Sequence, residues 1–362
     1  MQREPIFTAQ DNPQDNYGQI PENLHPAFTD ALIDNSEDDY LLRPQRLREM
    51  IGQKNVFARL QISIQAAKKR KEPLGHILFD GPPGLGKTTF AVCIPNELGV
   101  PMQISNGAIL KAPKDVIPYL TNAEEGSVLF IDEIHRMQKT VEEFLYTAME
   151  DFRIDVILGE GVSAKTMSLP IKPFTLIGAT TRTGLISAPL RDRFQIREHL
   201  DFYAVEELAH IVRRNAGKLN VGIDEDACNE IAMRSRGTPR LANSRLRWIR
   251  DFADAKANGK ITYAVVIDAL EMQGIDKLGL DLQDRRVLET ILRVFGGGPV
   301  GIESVAHTLN LAADTLSDEV EPFLLRSELL IRTPKGRCLT DKGFTHLGAN
   351  PADYRGISFF EY

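Results

Sequence analysis

Cysteine is scarce in this chain of 362 residues, and no segment of it stays apolar for long. Its three cysteines, Cys93, Cys228 and Cys338, are far apart. Their spacing excludes a cysteine metal site or a redox pair and indicates ordinary reduced thiols. No apolar run approaches the roughly 18 residues that a membrane-spanning helix needs, and the first residues lack a signal-peptide pattern. We therefore expect a cytoplasmic protein with no membrane segment.

An excess of positive charge is also lacking, since the net charge is −7. Residues 1–40 hold nine acidic side chains and one arginine, a balance of −8, so the remaining residues sum to +1. The distribution of charge bears on nucleic-acid binding more than its sum does. We predict that residues 1–40 form an acidic, disordered tail, whose role the sequence does not reveal. The remainder is long enough for two or three domains.

One stretch has the pattern of a phosphate-binding loop. Residues 76–89 read HILFDGPPGLGKTT, an apolar strand that breaks into G-x-x-x-x-G-K-[ST] and continues as a helix. Gly84 and Gly86 allow a tight backbone whose N–H groups point at phosphate oxygens, Lys87 brings a positive charge, and the Thr88 hydroxyl suits Mg²⁺. A chance Gly-Pro loop is the alternative. The strand before it, the helix after it and the Lys-Thr pair favour a nucleoside triphosphate site.

A pair of carboxylates ends another apolar run, residues 127–133 with the sequence SVLFIDE. Asp132 suits coordination of Mg²⁺ through water, and Glu133 suits polarising the water that attacks the γ-phosphate. The alternative is a polar strand end that caps the next helix. The position of the pair, downstream of a phosphate-binding lysine, favours the catalytic interpretation.

The third signal is a polar strand end followed by arginines. Thr180 and Thr181 end a predicted strand at 176–181, and residues 189–194 read PLRDRF. A polar strand end can bind the γ-phosphate or the water, and the arginines fit a subunit edge from which they reach a neighbour's site. A surface salt-bridge cluster is the alternative.

Strands at 77–79, 100–105, 127–133 and 176–181, alternating with helices at 55–70 and 87–98, predict a parallel α/β sheet. Pro95 should bend or shorten the second of these helices.

From residue 203 the pattern becomes helical. We predict four helices, at 205–219, 225–236, 239–256 and 263–272. Arg240 falls in the first turn of the third, after a proline, where it could contact a phosphate or simply be solvated.

Residues 276–350 are predicted to form a winged-helix domain. Helices at 284–295, 301–310 and 314–327 are followed by a hairpin at 329–340, with the basic residues Arg332, Lys335 and Arg337 at its tip. Basic tips suit backbone phosphates. No aromatic residue interleaves these bases, which argues against base stacking. A solubilising hairpin and a protein-binding module are the alternatives.

Together these motifs, over residues 41–350, resemble the bacterial RuvB family of AAA+ motors that drive branch migration of four-way (Holliday) DNA junctions. The ordered motifs that carry the resemblance are GPPGLGKTT (81–89), LFIDEIHR (129–136), AMEDF (148–152), FTLIGATTR (174–182), PLRDRF (189–194), RGTPR (236–240), GGPVG (297–301) and RTPKGR (332–337). The phosphate loop is common to many ATPases, but the ordered set is typical of this one family.

The resemblance implies roles that spacing alone does not. Thr181 corresponds to the polar sensor, Arg193 to an arginine finger acting in trans, and Arg240 to the second sensor. Arg332 and Arg337 correspond to DNA contacts on the wing. Further nucleotide contacts are implied for Leu42, Arg43, Thr89, Glu150, Asp151, Phe152 and Tyr203. The implied domains are an acidic tail (1–40), a large ATPase domain (41–203), a helical lid (204–275), a winged helix (276–350) and a C-terminal tail (351–362).

The resemblance further implies a homohexamer that uses ATP and Mg²⁺, acts on junction and duplex DNA, and takes part in DNA repair and the SOS response. Its partners would be RuvA, docking on a hairpin at 154–169, and the RuvC resolvase. A clamp-loading or scaffold ATPase that moves no DNA is the rival interpretation. Five residues depart from what is usual in the family and leave hexamer packing and partner fit open: Pro95, Thr147, Gln195, Ser244 and Trp248. Step size, hexamer asymmetry and regulation are beyond the sequence.

Overall fold

The computed structural model describes residues 41–158 and 165–354. The acidic segment 1–40, the turn of the predicted hairpin at 154–169 and residues 355–362 lie outside the described part. Within that part, no helix combines the length and the apolar character that crossing a membrane requires.

A five-stranded parallel sheet forms the centre of the first unit. Its strands are β1 (Ile77–Asp80), β2 (Met102–Asn106), β3 (Val128–Asp132), β6 (Thr175–Thr180) and β7 (Ile196–His199). They lie in the order β2-β3-β6-β1-β7, and β3 and β6 are almost wholly buried, as expected for a parallel sheet covered on both faces. The prediction of a parallel α/β sheet is confirmed, while Glu133 and Thr181 each lie one residue beyond the strand to which they were assigned.

Five α-helices accompany the sheet: α1 (Lys54–Arg70), α2 (Lys87–Leu98), α3 (Pro113–Thr121), α4 (Lys139–Asp151) and α5 (Ala188–Asp192). Single 3₁₀ turns lie at Leu47–Glu49, Ile134–Arg136 and Thr183–Leu185. Pro95 does not shorten α2, which continues to Leu98. Its ring is buried beside Ile94, so core packing outweighs the backbone hydrogen bond that proline cannot make.

An antiparallel hairpin projects from the end of α4. Its strands β4 (Arg153–Leu158) and β5 (Lys165–Pro170) pair in a register that sets Ile154 opposite Leu169. The hairpin predicted between these two residues is therefore confirmed in its strands.

The second unit is helical, with α6 (Val205–Lys218), α7 (Glu225–Met233), α8 (Pro239–Lys256) and α9 (Tyr263–Met272), and a two-strand parallel ladder of β8 (Gly222–Ile223) and β9 (Lys260–Ile261). Helix α7 ends three residues before the predicted end at 236. Arg236 and Gly237 have φ of 53° and 73°, which no α-helix accommodates. The Arg236 side chain instead pairs with Asp281 and the buried Asp284.

The third unit has the winged-helix arrangement that the sequence predicted. Its elements are α10 (Leu282–Arg293), α11 (Ile302–Leu309), α12 (Ala313–Thr315), a π-helical turn (Leu316–Val320), α13 (Glu321–Arg326), β10 (Leu330–Thr333), β11 (Gly336–Leu339), α14 (Asp341–His346) and a 3₁₀ turn (Pro351–Asp353). The helix predicted at 314–327 is thus interrupted by one π turn. We call residues 313–326 the π-turn helix.

Three buried clusters form the core of the described residues. One joins the α1 and α2 face of the sheet to the helical unit, so that Leu60, Phe79 and Leu246 belong to the same cluster. A second covers the opposite face, and a third lies within the winged helix. The parallel sheet and the helical unit therefore share a core, which lets the helical unit sit against the phosphate loop.

Candidate active site and wing

The loop between β1 and α2 has the backbone of a phosphate cradle. Gly81, Gly84 and Gly86 have φ of 130°, 79° and 100°, a region that favours glycine. A Cβ on Gly81 would lie 2.5 Å from the Leu200 carbonyl oxygen, so the loop packs too closely against the end of β7 for any other residue there. Gly86 precedes the first turn of α2, where the helix N-terminus offers free N–H groups.

The Lys87 ammonium lies inside this loop. Its Nζ donates to the carbonyl oxygens of Gly81, at 2.7 Å, and Pro82, at 2.9 Å. Burial lowers the pKa of Lys87, and the carboxylates of Glu133 and Asp132 oppose that shift. The lysine charge is therefore set beside the acidic pair that the sequence singled out. Thr88 and Thr89 follow in the first turn of α2, and both are half-buried.

Asp132 and Glu133 stand at the carboxyl end of β3. Burial raises the pKa of Asp132, and its Oδ1 accepts the Glu133 backbone N–H at 2.9 Å. Glu133 has a left-handed φ of 45°, an uncommon conformation for a glutamate and one associated with functional sites.

Thr181 donates from its hydroxyl to Glu133 Oε2, at 3.2 Å. The same carboxylate oxygen lies 3.2 Å from His135 Nδ1, which also lies 2.9 Å from Thr180 Oγ1. Burial lowers the pKa of His135, and the Glu133 carboxylate opposes the shift. The structure thus joins the predicted acid and the predicted sensor, and it adds His135 as a third member. In the sequence, the one sign that His135 belongs to the site is its position two residues after Glu133.

Arg240 and Tyr203 approach the phosphate loop from the helical unit. The Arg240 backbone N–H lies 3.4 Å from the Gly84 carbonyl oxygen, and the Tyr203 hydroxyl donates to the Leu85 carbonyl oxygen at 3.3 Å. Burial raises the pKa of Tyr203. Leu42 is buried in the first described segment, with Arg43 half-buried beside it.

Arg193 lies on the outer edge of the first unit, directly after α5. Its guanidinium lies 4.3 Å from the centre of the Tyr146 ring and donates to Glu150 Oε2 at 2.9 Å and to the Pro189 carbonyl oxygen at 2.8 Å. Glu150 therefore lies with the arginine on this edge, and the following Asp151 and Phe152 end α4 there.

The wing differs from the sequence prediction in the surroundings of its two arginines. Arg332 and Arg337 are opposite each other across the β10–β11 ladder, and both bind the carboxylate of Glu321 on the π-turn helix. The Arg332 side chain is 56% exposed but that of Arg337 only 18%, and Glu321 is buried. The two guanidiniums therefore lie side by side on the buried acid, and Arg337 is far less exposed than Arg332. Lys335 is exposed in the turn.

Burial would raise the pKa of Glu321, but hydrogen bonds from Arg337 and Arg332 outweigh burial and leave it below the usual value. Glu321 is a residue that sequence reasoning missed, since no local motif relates it to a hairpin more than ten residues away.

Comparison with known proteins places three family models along the chain. The Holliday junction DNA helicase RuvB P-loop domain matches residues 42–200, the RuvB AAA lid domain matches 203–276, and the RuvB C-terminal winged helix domain matches 277–348.

Two curated relatives are named Holliday junction branch migration complex subunit RuvB. The protein of Rhodopirellula baltica is 59% identical over 96% of this chain and 96% of its own length. That of Kosmotoga olearia is 50% identical over 87% of this chain and 92% of its own.

A solved structure, the Thermotoga maritima RuvB Holliday junction branch migration motor, is 45% identical, with a TM-score of 0.79 over 86% of this chain and 99% of that one. The Thermotoga protein has also been solved with one lysine, alanine, threonine, arginine or proline replaced. Counted from that lysine, the other four are spaced as Ala179, Thr181, Arg193 and Pro239 are from Lys87.

Proposed function

Because this chain belongs to the RuvB family, we propose that it is the ATP-driven motor subunit that moves DNA to promote branch migration of Holliday junctions in recombination and repair. The observation that carries the proposal is the meeting of Lys87, Glu133 and Thr181 at the carboxyl edge of the sheet, in a chain that also has a winged helix. A charged phosphate loop beside a carboxylate and a polar strand end is the arrangement used for nucleotide hydrolysis.

The contacts of each residue at the site support a separate role in hydrolysis. Lys87 places its charge where the β- and γ-phosphates bind, and Glu133 orients and polarises the attacking water. The Thr181 hydroxyl and His135, both 3.2 Å from Glu133 Oε2, hold that carboxylate in place. Arg240, whose backbone meets Gly84, serves as a second positive charge from the helical unit.

The donor set at the loop fits Mg²⁺, which favours a few protein oxygens together with phosphate oxygens and water. Thr88, in the first turn of α2, would hold the ion directly, and Asp132 would hold it through water. The bound ion neutralises phosphate charge. The acidity of this edge of the sheet supports the assignment, since Asp132 and Glu133 both act electrostatically on Lys87.

The remaining nucleotide contacts are assigned on the family's pattern. Leu42, Arg43 and Tyr203 would surround the adenine, with Gly84, Gly86 and Thr89 along the phosphates. Support comes from Tyr203, which is buried and bound to the loop at Leu85. Glu150, Asp151 and Phe152 lie on the edge that carries Arg193, so we assign them to the nucleotide of a neighbouring subunit.

We assign the working form as a homohexamer in which Arg193 acts in trans. The Arg193 side chain is 20% exposed, and the Tyr146 ring and the Glu150 carboxylate fix its guanidinium near the surface of its own subunit, where a neighbour's site could meet it. Arg193 would then stabilise transition-state charge in the next subunit and couple hydrolysis to subunit movement.

DNA contact is assigned to the wing, chiefly through the exposed Arg332 and Lys335 and less through Arg337, which Glu321 holds inward. Phosphate contacts carry no sequence information, so movement along DNA should be independent of sequence. The β4–β5 hairpin is the proposed docking site for a RuvA-type junction-binding partner, with a RuvC-type resolvase as a further partner, in the cytoplasm.

The test is ATP hydrolysis and strand exchange on a synthetic four-way junction, with and without the junction-binding partner. The motor interpretation predicts hydrolysis that DNA stimulates, together with movement of the junction. Hydrolysis without movement, under conditions in which the partner binds, would favour the clamp-loading or scaffold alternative.

A further inference from the structure

Arg182 belongs to the active site by its backbone. Its N–H donates to Thr180 Oγ1, at 3.0 Å, and that hydroxyl lies 2.9 Å from His135 Nδ1. Its immediate neighbour Thr181 donates to Glu133. Any displacement of the Arg182 backbone therefore moves the threonine that holds the proposed catalytic carboxylate.

The side chain of Arg182 leaves the ATPase unit and enters the winged helix. Its Nε lies 3.1 Å from both carboxylate oxygens of Asp318, and its Nη2 lies 2.6 Å from Asp318 Oδ2. Nη2 also donates to Asp314 Oδ1, at 3.0 Å. The forked pair with Asp318 is partly shielded, with side chains 30% and 37% exposed, whereas Asp314 is 83% exposed. Asp318 is thus the stronger anchor, because a shielded forked pair is weakened less by solvent screening.

Asp318 lies in the π turn of the π-turn helix, a feature frequent at functional sites. Three residues later the same helix presents Glu321, whose buried carboxylate binds Arg332 and Arg337 of the wing. The π-turn helix therefore binds both sites. Its Asp318 holds Arg182, which belongs to the sensor segment (residues 180–182), and its Glu321 holds the arginines of the wing.

We infer that Arg182 is a positioning residue for ATP hydrolysis, anchored on Asp318, and that the π-turn helix couples the wing to Thr181 and Glu133. The inference rests on the proposed function, since it needs a chain that hydrolyses ATP and binds DNA. A DNA phosphate that draws Arg332 away from Glu321 changes the charge balance of the π-turn helix and shifts this helix. Asp318, on the same helix, then passes the shift through Arg182 to residues 180–182.

Asp318→Asn removes the anchoring charge at nearly constant shape. We expect the kcat of DNA-stimulated ATP hydrolysis to fall roughly 3- to 10-fold, the range typical of coupled neighbouring groups. The KM for ATP should stay unchanged, because among the described residues Asp318 has no hydrogen bond or ion pair with the phosphate loop. Asp318→Glu, which keeps the carboxylate, should restore much of the rate.

Glu319→Gln is the matched control. Glu319 is the next residue, is exposed, and has no side-chain hydrogen bond or ion pair within the part of the chain that the structure describes. A general weakening of the helix would appear in both variants and as a lower Tm, whereas impaired positioning lowers kcat only in Asp318→Asn.

Linkage supplies the reciprocal test. If the two sites are coupled, a non-hydrolysable ATP analogue changes the affinity of the wild-type hexamer for duplex DNA, and Asp318→Asn reduces that change. Equal kcat, KM and nucleotide-dependent DNA affinity in Asp318→Asn and wild type, with wild type active, would overturn the inference alone. A wild-type protein without ATP hydrolysis would overturn the proposed function as well.

Discussion

Burial disfavours the charged form of Lys87, whereas the nearby carboxylates of Glu133 and Asp132 favour it. Lys87→Ala removes the only side-chain ammonium of the phosphate loop, so ATP affinity should fall roughly 10- to 100-fold, as expected when one or two charged hydrogen bonds are removed. Turnover should disappear. Isothermal titration with ATP and a steady-state ATPase assay measure the two effects, and normal hydrolysis by the purified variant would remove the central proposal.

Glu133 and Asp132 are adjacent, yet the structure gives them different surroundings. The Asp132 carboxylate accepts a backbone N–H, whereas that of Glu133 meets Thr181 and His135. Glu133→Gln should keep nucleotide binding and lower kcat by about 10²- to 10⁴-fold, because the water is deprived of its polarising carboxylate.

A binding assay beside single-turnover hydrolysis separates the two roles of this pair. Weakened nucleotide binding by Glu133→Gln, with normal turnover per bound nucleotide, would contradict the role assigned to Glu133. Asp132→Asn is the comparison variant, in which weakened nucleotide binding is expected.

Two of the residues that the resemblance marks as departures from the family have partners within their own chain. Gln195 Oε1 accepts the His76 backbone N–H at 2.6 Å, and Trp248 Nε1 donates to the Ala269 carbonyl oxygen at 2.9 Å. Both substitutions are therefore accommodated locally, next to β1 in one case and by helix α9 in the other.

At the scale of elements, the wing is held to the π-turn helix by one buried acid and two arginines. The difference in exposure between Arg332 and Arg337 divides their roles. Arg332 retains donors that face solvent, while Arg337 chiefly compensates the charge of Glu321.

Arg332→Ala should weaken DNA binding about equally on unrelated sequences. The slope of log affinity against log salt should become shallower by about 0.9, because one phosphate is no longer neutralised by the protein. Lys335→Ala, in the exposed turn, should act in the same way, and ATP binding should persist in both variants. The measurement is a salt titration of affinity on two unrelated duplexes, and an unchanged slope in both variants would move the DNA-binding surface elsewhere.

Arg337→Ala should act on stability instead. Either variant, Arg337→Ala or Arg332→Ala, leaves the Glu321 carboxylate with one arginine, but Arg337 is the shielded partner, so its loss should cost about 1–3 kcal/mol. The pair with the exposed Arg332 is weakened by solvent screening and should cost less to remove. A thermal unfolding scan should therefore separate Arg337→Ala from Arg332→Ala. Equal destabilisation by the two variants would contradict this division of roles.

At the scale of the whole molecule, the ATPase site is completed by a second subunit if Arg193 acts in trans. Arg193→Ala and Lys87→Ala subunits, each inactive alone, should recover some ATPase when mixed, because an intact Arg193 edge can then serve an intact loop next door. An arginine finger is worth about 10³–10⁵ in rate in GTPases, so the background of the Arg193→Ala protein should be low. No recovery in mixtures shown to co-assemble would count against a trans role.

The helical unit and the winged helix are joined by buried charge. Arg236 reaches Asp281 and Asp284, and Arg245 donates to the Gly279 carbonyl oxygen at 3.1 Å. Burial lowers the pKa of Arg245 to about 9. The link between the winged helix and the sensor segment, in contrast, is the partly exposed pair of Arg182 and Asp318. Because the Arg182–Asp318 pair is more exposed than the Arg236–Asp284 pair, it is the weaker of the two links and the one that we expect DNA binding to change.

Local sequence determined the elements that carry chemistry. The apolar runs that end at Asp80, Asp132 and Thr180 specify buried parallel strands, and the glycines of the phosphate loop specify its backbone, because burial and φ preference act over a few residues. The helices Pro239–Lys256 and Tyr263–Met272 follow their predicted bounds for the same reason.

Only the tertiary structure decided which distant side chains meet. Glu321 binds arginines 11 and 16 residues away, and Arg182 binds an aspartate 136 residues away. No local pattern encodes such pairs, since they depend on how separately folded units pack. Packing likewise drew Arg337 inward and ended helix α7 at Met233, because the buried acids Glu321 and Asp284 require a positive partner, which local propensity does not register.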